Sequence, residues 1–288
     1  MSNRRLYSIL FPAVAGLFPA PAAAHPGSGI VVDRMGQVYF VDMVSGIWRW
    51  SAKGGLTQLP GQAFHWMALD VDGRFAGGRL PSGTGGDFTR IGSNPTMLLA
   101  SDFPIAIAPD GNLYYPSKGG TAIQLKRFTS GGQTSALATL PATATGVSWI
   151  NGLAAGPDGS FYYTEDGAIR RVSREGAVST VVGKLPTANC RTANAMLQGL
   201  AVDGAGTIYV ADTGCGRVLK VTASGGVTIL PQVERPWFPT GVALSGNDLY
   251  VLEFENPDTD DRRVMIPRIR KIGADGTTTV VATVTRPS

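Results

Sequence analysis

The sequence is poor in charge: Asp, Glu, Lys and Arg make up 16% of its 288 residues, where roughly a quarter is usual in soluble domains. With 43% hydrophobic residues the chain has material for a substantial core, which excludes a disordered polyelectrolyte. The charge present is nearly balanced. Of 25 Lys and Arg, two (Arg4 and Arg5) fall in an export segment considered below, which leaves 23 against 21 acids and no electrostatic case for nucleic acid as a partner. Basic residues gather only in "DRRVMIPRIRK" at 261–271, where Arg268 and Arg270 alternate with apolar residues; that period predicts one solvated face of a strand rather than a polyanion site.

Catalytic signatures are missing as well. There is no G-x-S-x-G elbow, no H-E-x-x-H pair and no phosphate-cradling glycine loop ahead of a helix. His25 and His65 are the only histidines, too few for several catalytic imidazoles. Beyond the first two dozen residues no stretch is apolar for long enough to span a bilayer. Those first residues read as an export signal. Arg4 and Arg5 open it, "LYSILFPAVAGLFPA" is its apolar part, broken by Pro12 and Pro19, and "PAAAH" offers cleavage after Ala24. The expectation is a removed segment 1–24 and a single exported domain, 25–288, periplasmic or secreted. In such a compartment Cys190 and Cys215, the only cysteines, are candidates for a disulfide.

Glycine and proline are plentiful instead, 38 and 19, which points to many tight turns and an all-β chain. The phrase "GIVVDRMGQVYFVD" (29–42) returns as "MALDVDGRFAGG", "IAIAPDGNLYYPS", "GLAAGPDGSFYYTE", "GLAVDGAGTIYVAD" and "GVALSGNDLYVLE". Its aromatic falls at Tyr39, Phe75, Tyr114, Tyr162, Tyr209 and Tyr250, so spacings of 36 to 48 residues carry six copies across the chain. Each copy has an apolar run, an Asp/Gly turn and further runs of period two, the grammar of four antiparallel strands. One such sheet cannot bury both faces alone. The predicted fold is a six-bladed β-propeller of four-stranded blades. It puts Cys190 and Cys215 on connections emerging at one face, where a disulfide is natural.

In a propeller the residue just before each innermost strand looks into one rim of the central channel. Counting back from the turn of each copy names Ser28, His65, Phe103, Asn151, Gln198 and Thr240, five of them polar. Trp66 and Trp149, beside rim positions, would either wall a ring-shaped ligand or pack between blades. A second row of acids, Asp42, Glu165, Asp212 and Glu253, follows the second strand, and a structural tie from Asp212 to Arg217 is expected. The acidic loop "ENPDTDD" at 255–261 matches no EF-hand spacing.

"LQGLAVDGAGTIYVADTGCGRVLKV" resembles an NHL-type repeat, while "VYFVDMVSGIWRW" and "INGLAAGPDGSFYYTED" resemble the senescence-marker-protein, gluconolactonase and luciferin-regenerating-enzyme group, over about residues 29–285. That resemblance implies a divalent metal, often calcium, held at the channel mouth by a Glu, an Asn and an Asp, where it polarises a lactone carbonyl. Here the Asn is Asn151. The Glu position holds Ser28, the Asp position Gln198, and a substrate-contact Asn position holds His65. With both carboxylates gone a hard cation would be held weakly, and Gln198 cannot take a proton from water. His65 is the rim residue able to act as a general base. The expectation is an exported propeller binding a small polar or cyclic organic ligand through Asn151, Gln198, His65, Ser28 and Thr240, with lactone or ester hydrolysis the reaction class to test. The rival is a non-catalytic propeller that binds a protein or envelope polymer through its loops.

Overall fold

In five of the six repeats an Asp after the first run caps the turn that follows it, while the sixth turns at Ser245-Gly246-Asn247. Asp33 Oδ1 accepts the backbone N–H groups of Met35 and Gln37 at 2.9 and 2.8 Å, and Asp203 Oδ1 those of Ala205 and Thr207 at 2.9 and 2.8 Å. A carboxylate that bonds its own backbone a few residues on stabilises a tight reversal, so the second run returns antiparallel, with Ile30 opposite Phe40. The computed structural model describes residues 26–82, 87–92, 95–120, 122–141, 149–165, 167–187, 190, 194–255 and 265–285. The expected export segment, His25 and the acids at 258–261 lie outside the described residues.

Six antiparallel sheets result, and no helix occurs among the described residues. The first contains β1 (Ile30–Val32), β2 (Val38–Asp42), β3 (Gly46–Ser51) and β4 (Gly55–Leu59). The second contains β5 (Trp66–Asp70), β6 (Phe88–Ile91) and β7 (Thr96–Ala100), and the third β8 (Ala106–Ile107), β9 (Leu113–Gly119), β10 (Ala122–Phe128) and β11 (Thr134–Leu140). The fourth is β12 (Ile150–Ala155), β13 (Phe161–Glu165), β14 (Ala168–Val172) and β15 (Val178–Val182). The fifth is β16 (Leu197–Val202), β17 (Ile208–Asp212), β18 (Arg217–Val221) and β19 (Val227–Ile229). The sixth is β20 (Trp237–Ser245), β21 (Asp248–Glu255), β22 (Pro267–Ile272) and β23 (Thr278–Thr283). The innermost strands β1, β5, β8, β12, β16 and β20 pack side by side in that order and back to β1, so the architecture is a six-bladed β-propeller.

The core is divided into six clusters, one in each seam between neighbouring blades. Middle strands such as β2 and β13 are buried on both faces, so period two selects a seam rather than separating core from solvent. In β13, Phe161 and Tyr163 pack toward the third blade and Tyr162 toward the fifth. Outermost strands carry exposed Thr and Ser, as in β11 and β23, which suits sheet edges that face water.

Two features depart from the regular pattern. The second sheet has three strands among the described residues, in the order β5-β7-β6, and "DGRFAGG" forms bends instead of its second strand. Phe75 still fills the core, 1% exposed and stacked on Phe128 at 6.2 Å, while its N–H is held by Asp70 Oδ2 at 2.6 Å. The aromatic position is kept because the seam needs its volume, even where the strand is lost. Closure of the ring, which the sequence left open, needs no shared blade: each sheet comes from one contiguous stretch, and the last blade packs on the first through Phe238, Tyr250 and Leu252 against Val38 and Phe40.

Candidate functional site at the channel rim

The channel is a cavity of about 310 Å³ lined by one triplet from each innermost strand, residues 30–32, 67–69, 105–107, 153–155, 200–202 and 242–244. Each triplet begins two residues after Ser28, His65, Phe103, Asn151, Gln198 or Thr240, so these six stand at one end of the channel. They divide into a locked half and an open half.

In the locked half Ser28 Oγ donates to Gln198 Oε1 at 3.2 Å, and Thr240 Oγ1 donates to the Gly27 carbonyl at 2.9 Å. The Ser28 and Gly29 N–H groups both donate to the His65 carbonyl at 2.9 Å, tying blade 2 to blade 1. Ser28, Gln198 and Thr240 are buried. The strands come this close because four of the six rim residues are followed by glycine: a methyl on Gly241 would overlap the Ser28 carbonyl oxygen, and one on Gly152 the Gln198 carbonyl oxygen.

The open half holds His65, Phe103 and Asn151, of which Phe103 is buried and Asn151 borders a cleft. His65 Nδ1 lies 3.0 Å from the Ser101 carbonyl, which can only accept, so in neutral imidazole the proton sits on Nδ1. Nε2 is enclosed by protein. With one nitrogen engaged within its own blade and the other covered, the imidazole of His65 is not open to a ligand as the expected general base in this geometry. For Trp66 the packing alternative holds. It is 6% exposed in the seam between blades 2 and 3 and is not available as a ligand wall. Trp149, in contrast, is 67% exposed, with its ring 6.2 Å from that of Phe103.

Asn151 is half-buried and forms part of the wall of a cleft of about 570 Å³ between blades 4 and 5. The same cleft is lined by Lys184, Thr187 and Asn194, which sequence reasoning did not single out. They lie in the blade 4 to blade 5 connection, outside the repeated phrase, so no periodic signal marks them. Cys190 lies within that connection and is joined to Cys215 in the β17–β18 turn, closing 25 residues. The bridge thereby ties the cleft's outer segment to the fifth blade. Asp212 lies near both sulfurs, but a disulfide offers no thiolate and this trio is no metal site.

The second row of acids does structural work. Asp212 Oδ2 accepts from Arg217 Nε at 2.9 Å, and its Oδ1 accepts from the Met196 and Cys215 N–H groups at 3.1 and 3.3 Å. Glu253 accepts from both Arg268 and Arg270, at 2.7 and 2.5 Å, and Glu165 lies 3.4 Å from Arg170. Asp42 accepts instead from the Val44 N–H and the Ser45 hydroxyl. The solvated strand face expected at 261–271 is corrected here, since Arg270 is 6% exposed and paired.

A resident calcium or similar divalent ion does not fit these residues. The six rim side chains include no carboxylate, Gln198 spends its carboxamide oxygen on Ser28, and Asp212 and Glu253 of the second row are committed to arginines and, for Asp212, to backbone N–H groups. Hard cations are held tightly largely through carboxylate charge, and Asn151 supplies one neutral dipole.

The family model described as the SMP-30/gluconolactonase/LRE-like region matches residues 26–253. Among solved structures, a luciferin-regenerating enzyme is 15% identical over 90% of this chain and 92% of its own, with a TM-score of 0.56. A gluconolactonase from Xanthomonas campestris is 15% identical over 79% and 83%, with a TM-score of 0.56. A catalytically inactive virginiamycin B lyase from Staphylococcus aureus, crystallised with quinupristin, is 18% identical over 89% and 84%, with a TM-score of 0.53. Identities this low speak for the fold alone. No curated protein matches the chain by sequence.

Proposed function

Because this chain belongs to the SMP-30/gluconolactonase/LRE-like family, we propose that it binds a small polar or cyclic organic ligand at the mouth of its channel. The observation that carries this is the position of Asn151: it is the rim carboxamide that keeps an open side, and it does so in the wall of a 570 Å³ cleft with Lys184 and Thr187. Clefts of several hundred Å³ with a few convergent polar groups are the usual form of a small-molecule site. An amide, an ammonium and a hydroxyl suit a ligand rich in acceptors, such as a lactone or ester carbonyl or a carboxylate. The Ser28, Gln198 and Thr240 network would act behind that surface by fixing the strand that carries Asn151's neighbours. Trp149 supplies an exposed apolar face at the same rim.

Hydrolysis would need a base and an electrophile. Neither a metal nor an open imidazole is supported by the rim residues, so binding is the primary reading and turnover of lactones or esters the question put to it. Export accompanies the proposal: the Cys190–Cys215 bridge fits an oxidising compartment.

The test is a thermal-shift and turnover screen of lactones, esters and sugar acids on the purified protein, repeated with Asn151→Ala. A hit whose affinity falls about tenfold in the variant is expected, since one lost hydrogen bond to a polar ligand costs on the order of 1–2 kcal/mol. A hit indifferent to Asn151→Ala would overturn the site. Failure of every small molecule, with capture of a protein or polymer by the loops, would favour the rival reading. Calcium is expected to leave the melting temperature unchanged; an Asn151-dependent rise would overturn the misfit of the metal.

A further inference from the structure

On the face opposite the rim, the seams between blades are not alike. Arg34 of blade 1 reaches Asp72 of blade 2 at 2.9 Å, and Arg74 of blade 2 reaches the Asp110 carbonyl of blade 3 at 3.1 Å. The place of Arg74, directly after the turn glycine, is held in blade 3 by Asn112, which turns back on its own loop: its N–H and Nδ2 donate to Asp110 at 3.0 and 2.8 Å. Beyond it the seam between blades 3 and 4 opens as a cleft of about 600 Å³.

This cleft has a built shape. Its apolar lining is Pro109, Leu137 and Pro157, which are open or partly open, together with the buried rings of Tyr114 of blade 3 and Phe161 of blade 4, in contact at 4.2 Å between centroids. Its outer end is closed where Gly176 meets the Leu137 carbonyl so closely that a methyl would overlap the oxygen. Two exposed guanidinium groups flank it, Arg127 from β10 and Arg174 from the β14–β15 turn. The stem of Arg174 lies over Gly159, its Cδ 3.6 Å from where a methyl would stand.

The two carboxylates at the mouth are already committed. Asp158 pairs with Arg171 at 2.8 Å and accepts from the Ser160 hydroxyl at 2.5 Å. Asp110 accepts from Asn112 and from the Tyr114 hydroxyl at 2.8 Å, and Arg127 comes no nearer to it than 4.0 Å. Among the described residues no ion pair engages Arg174. The cleft therefore joins an apolar lining to two guanidinium groups with capacity to spare, in a volume that suits a small organic molecule.

We propose that this cleft is a second binding site, separate from the rim, for a small aromatic carboxylate whose ring rests on the apolar lining of Pro109, Leu137 and Pro157 and whose carboxylate lies between Arg127 and Arg174. Guanidinium groups match carboxylate geometry through paired N–H donors, and a flat apolar body gains by covering the lining.

Isothermal titration with benzoate tests this. Saturable binding is expected, weakened tenfold or more by Arg174→Gln and by Arg127→Gln, and retained in Asn151→Ala, which separates it from the rim. Both arginines are exposed, so the variants should melt like the parent, and that is checked alongside. Inorganic phosphate, an anion without a ring, should fail to displace benzoate. Absence of saturable binding, equal affinity in both arginine variants, loss in Asn151→Ala, or displacement by phosphate at matched concentration would each overturn the proposal.

Discussion

Replacing Gly241 with Ala should destabilise the propeller even though the backbone there does not require glycine. At a site with room, Gly→Ala stabilises by about 0.4–1 kcal/mol by restricting the unfolded chain. Gly241 has no room. A methyl would overlap the Ser28 carbonyl oxygen, come within 3.1 Å of the Ser28 carbonyl carbon and reach Ile30 Cγ2 at 2.9 Å, all in the neighbouring first blade. Two of those atoms are backbone and cannot rotate away, so relief requires β20 and β1 to separate at the seam that closes the ring. Overpacking of this kind costs about 1–3 kcal/mol. Taking the upper end for a backbone clash and subtracting the entropic gain leaves a net loss of about 2 kcal/mol. For a domain of this size each kcal/mol moves the melting temperature by about 2–4 °C, so calorimetry should show a fall of roughly 4–8 °C, with a matching drop in the urea midpoint. Gly204→Ala is the control, since a methyl there meets nothing within 4 Å; it should be neutral or slightly stabilising. If Gly241→Ala melted no lower than Gly204→Ala, the close convergence of first strands would be refuted.

Glu253→Gln should cost about 3–5 kcal/mol in urea unfolding, because it leaves two guanidinium groups without their shared counter-charge in a buried setting; a loss below about 1 kcal/mol would contradict that pairing. Cys215→Ser opens a 25-residue loop and should cost about 3 kcal/mol on the chain-entropy estimate, with reduction of the parent protein giving the same midpoint; an unchanged midpoint would count against the bridge. The Asp158 carboxyl is held down at about 2 by the Ser160 hydroxyl and then by Arg171. Its ionised form therefore favours the folded state above the ordinary carboxylate range, near pH 4, and that contribution is lost as pH falls toward 2. Asp158→Asn should flatten the stability profile in that window, and acid limbs identical to the parent's would refute the assignment.

Much of the fold was legible because a propeller writes its architecture locally. The turn Asp residues and the strand period act within a single repeat, so the recurrence of "GLAVDGAGTIYVAD" was enough to infer six antiparallel sheets, and the tie between Asp212 and Arg217 followed from neighbours in one hairpin. The second repeat misled at Phe75, where core volume was kept while strand pairing was not. A hydrophobic pattern reports burial, and hydrogen-bond order is a separate matter.

The site is where the sequence stopped short. It brought Ser28, His65, Asn151, Gln198 and Thr240 to one end of the channel, yet it could not say which would be open. That was decided by contacts between blades far apart in the chain: Ser28 bonds Gln198 across 170 residues and Thr240 bonds Gly27 across 213, closing one half of the rim and leaving Asn151 beside a cleft in the other. The same packing buried Trp66 and Arg270 and opened the seam flanked by Arg127 and Arg174. Sequence by itself determined the repeating unit, because turns and strand periods depend on nearest neighbours. Exposure and cleft shape depend on what the adjoining blade places opposite, and only the closed ring settles that.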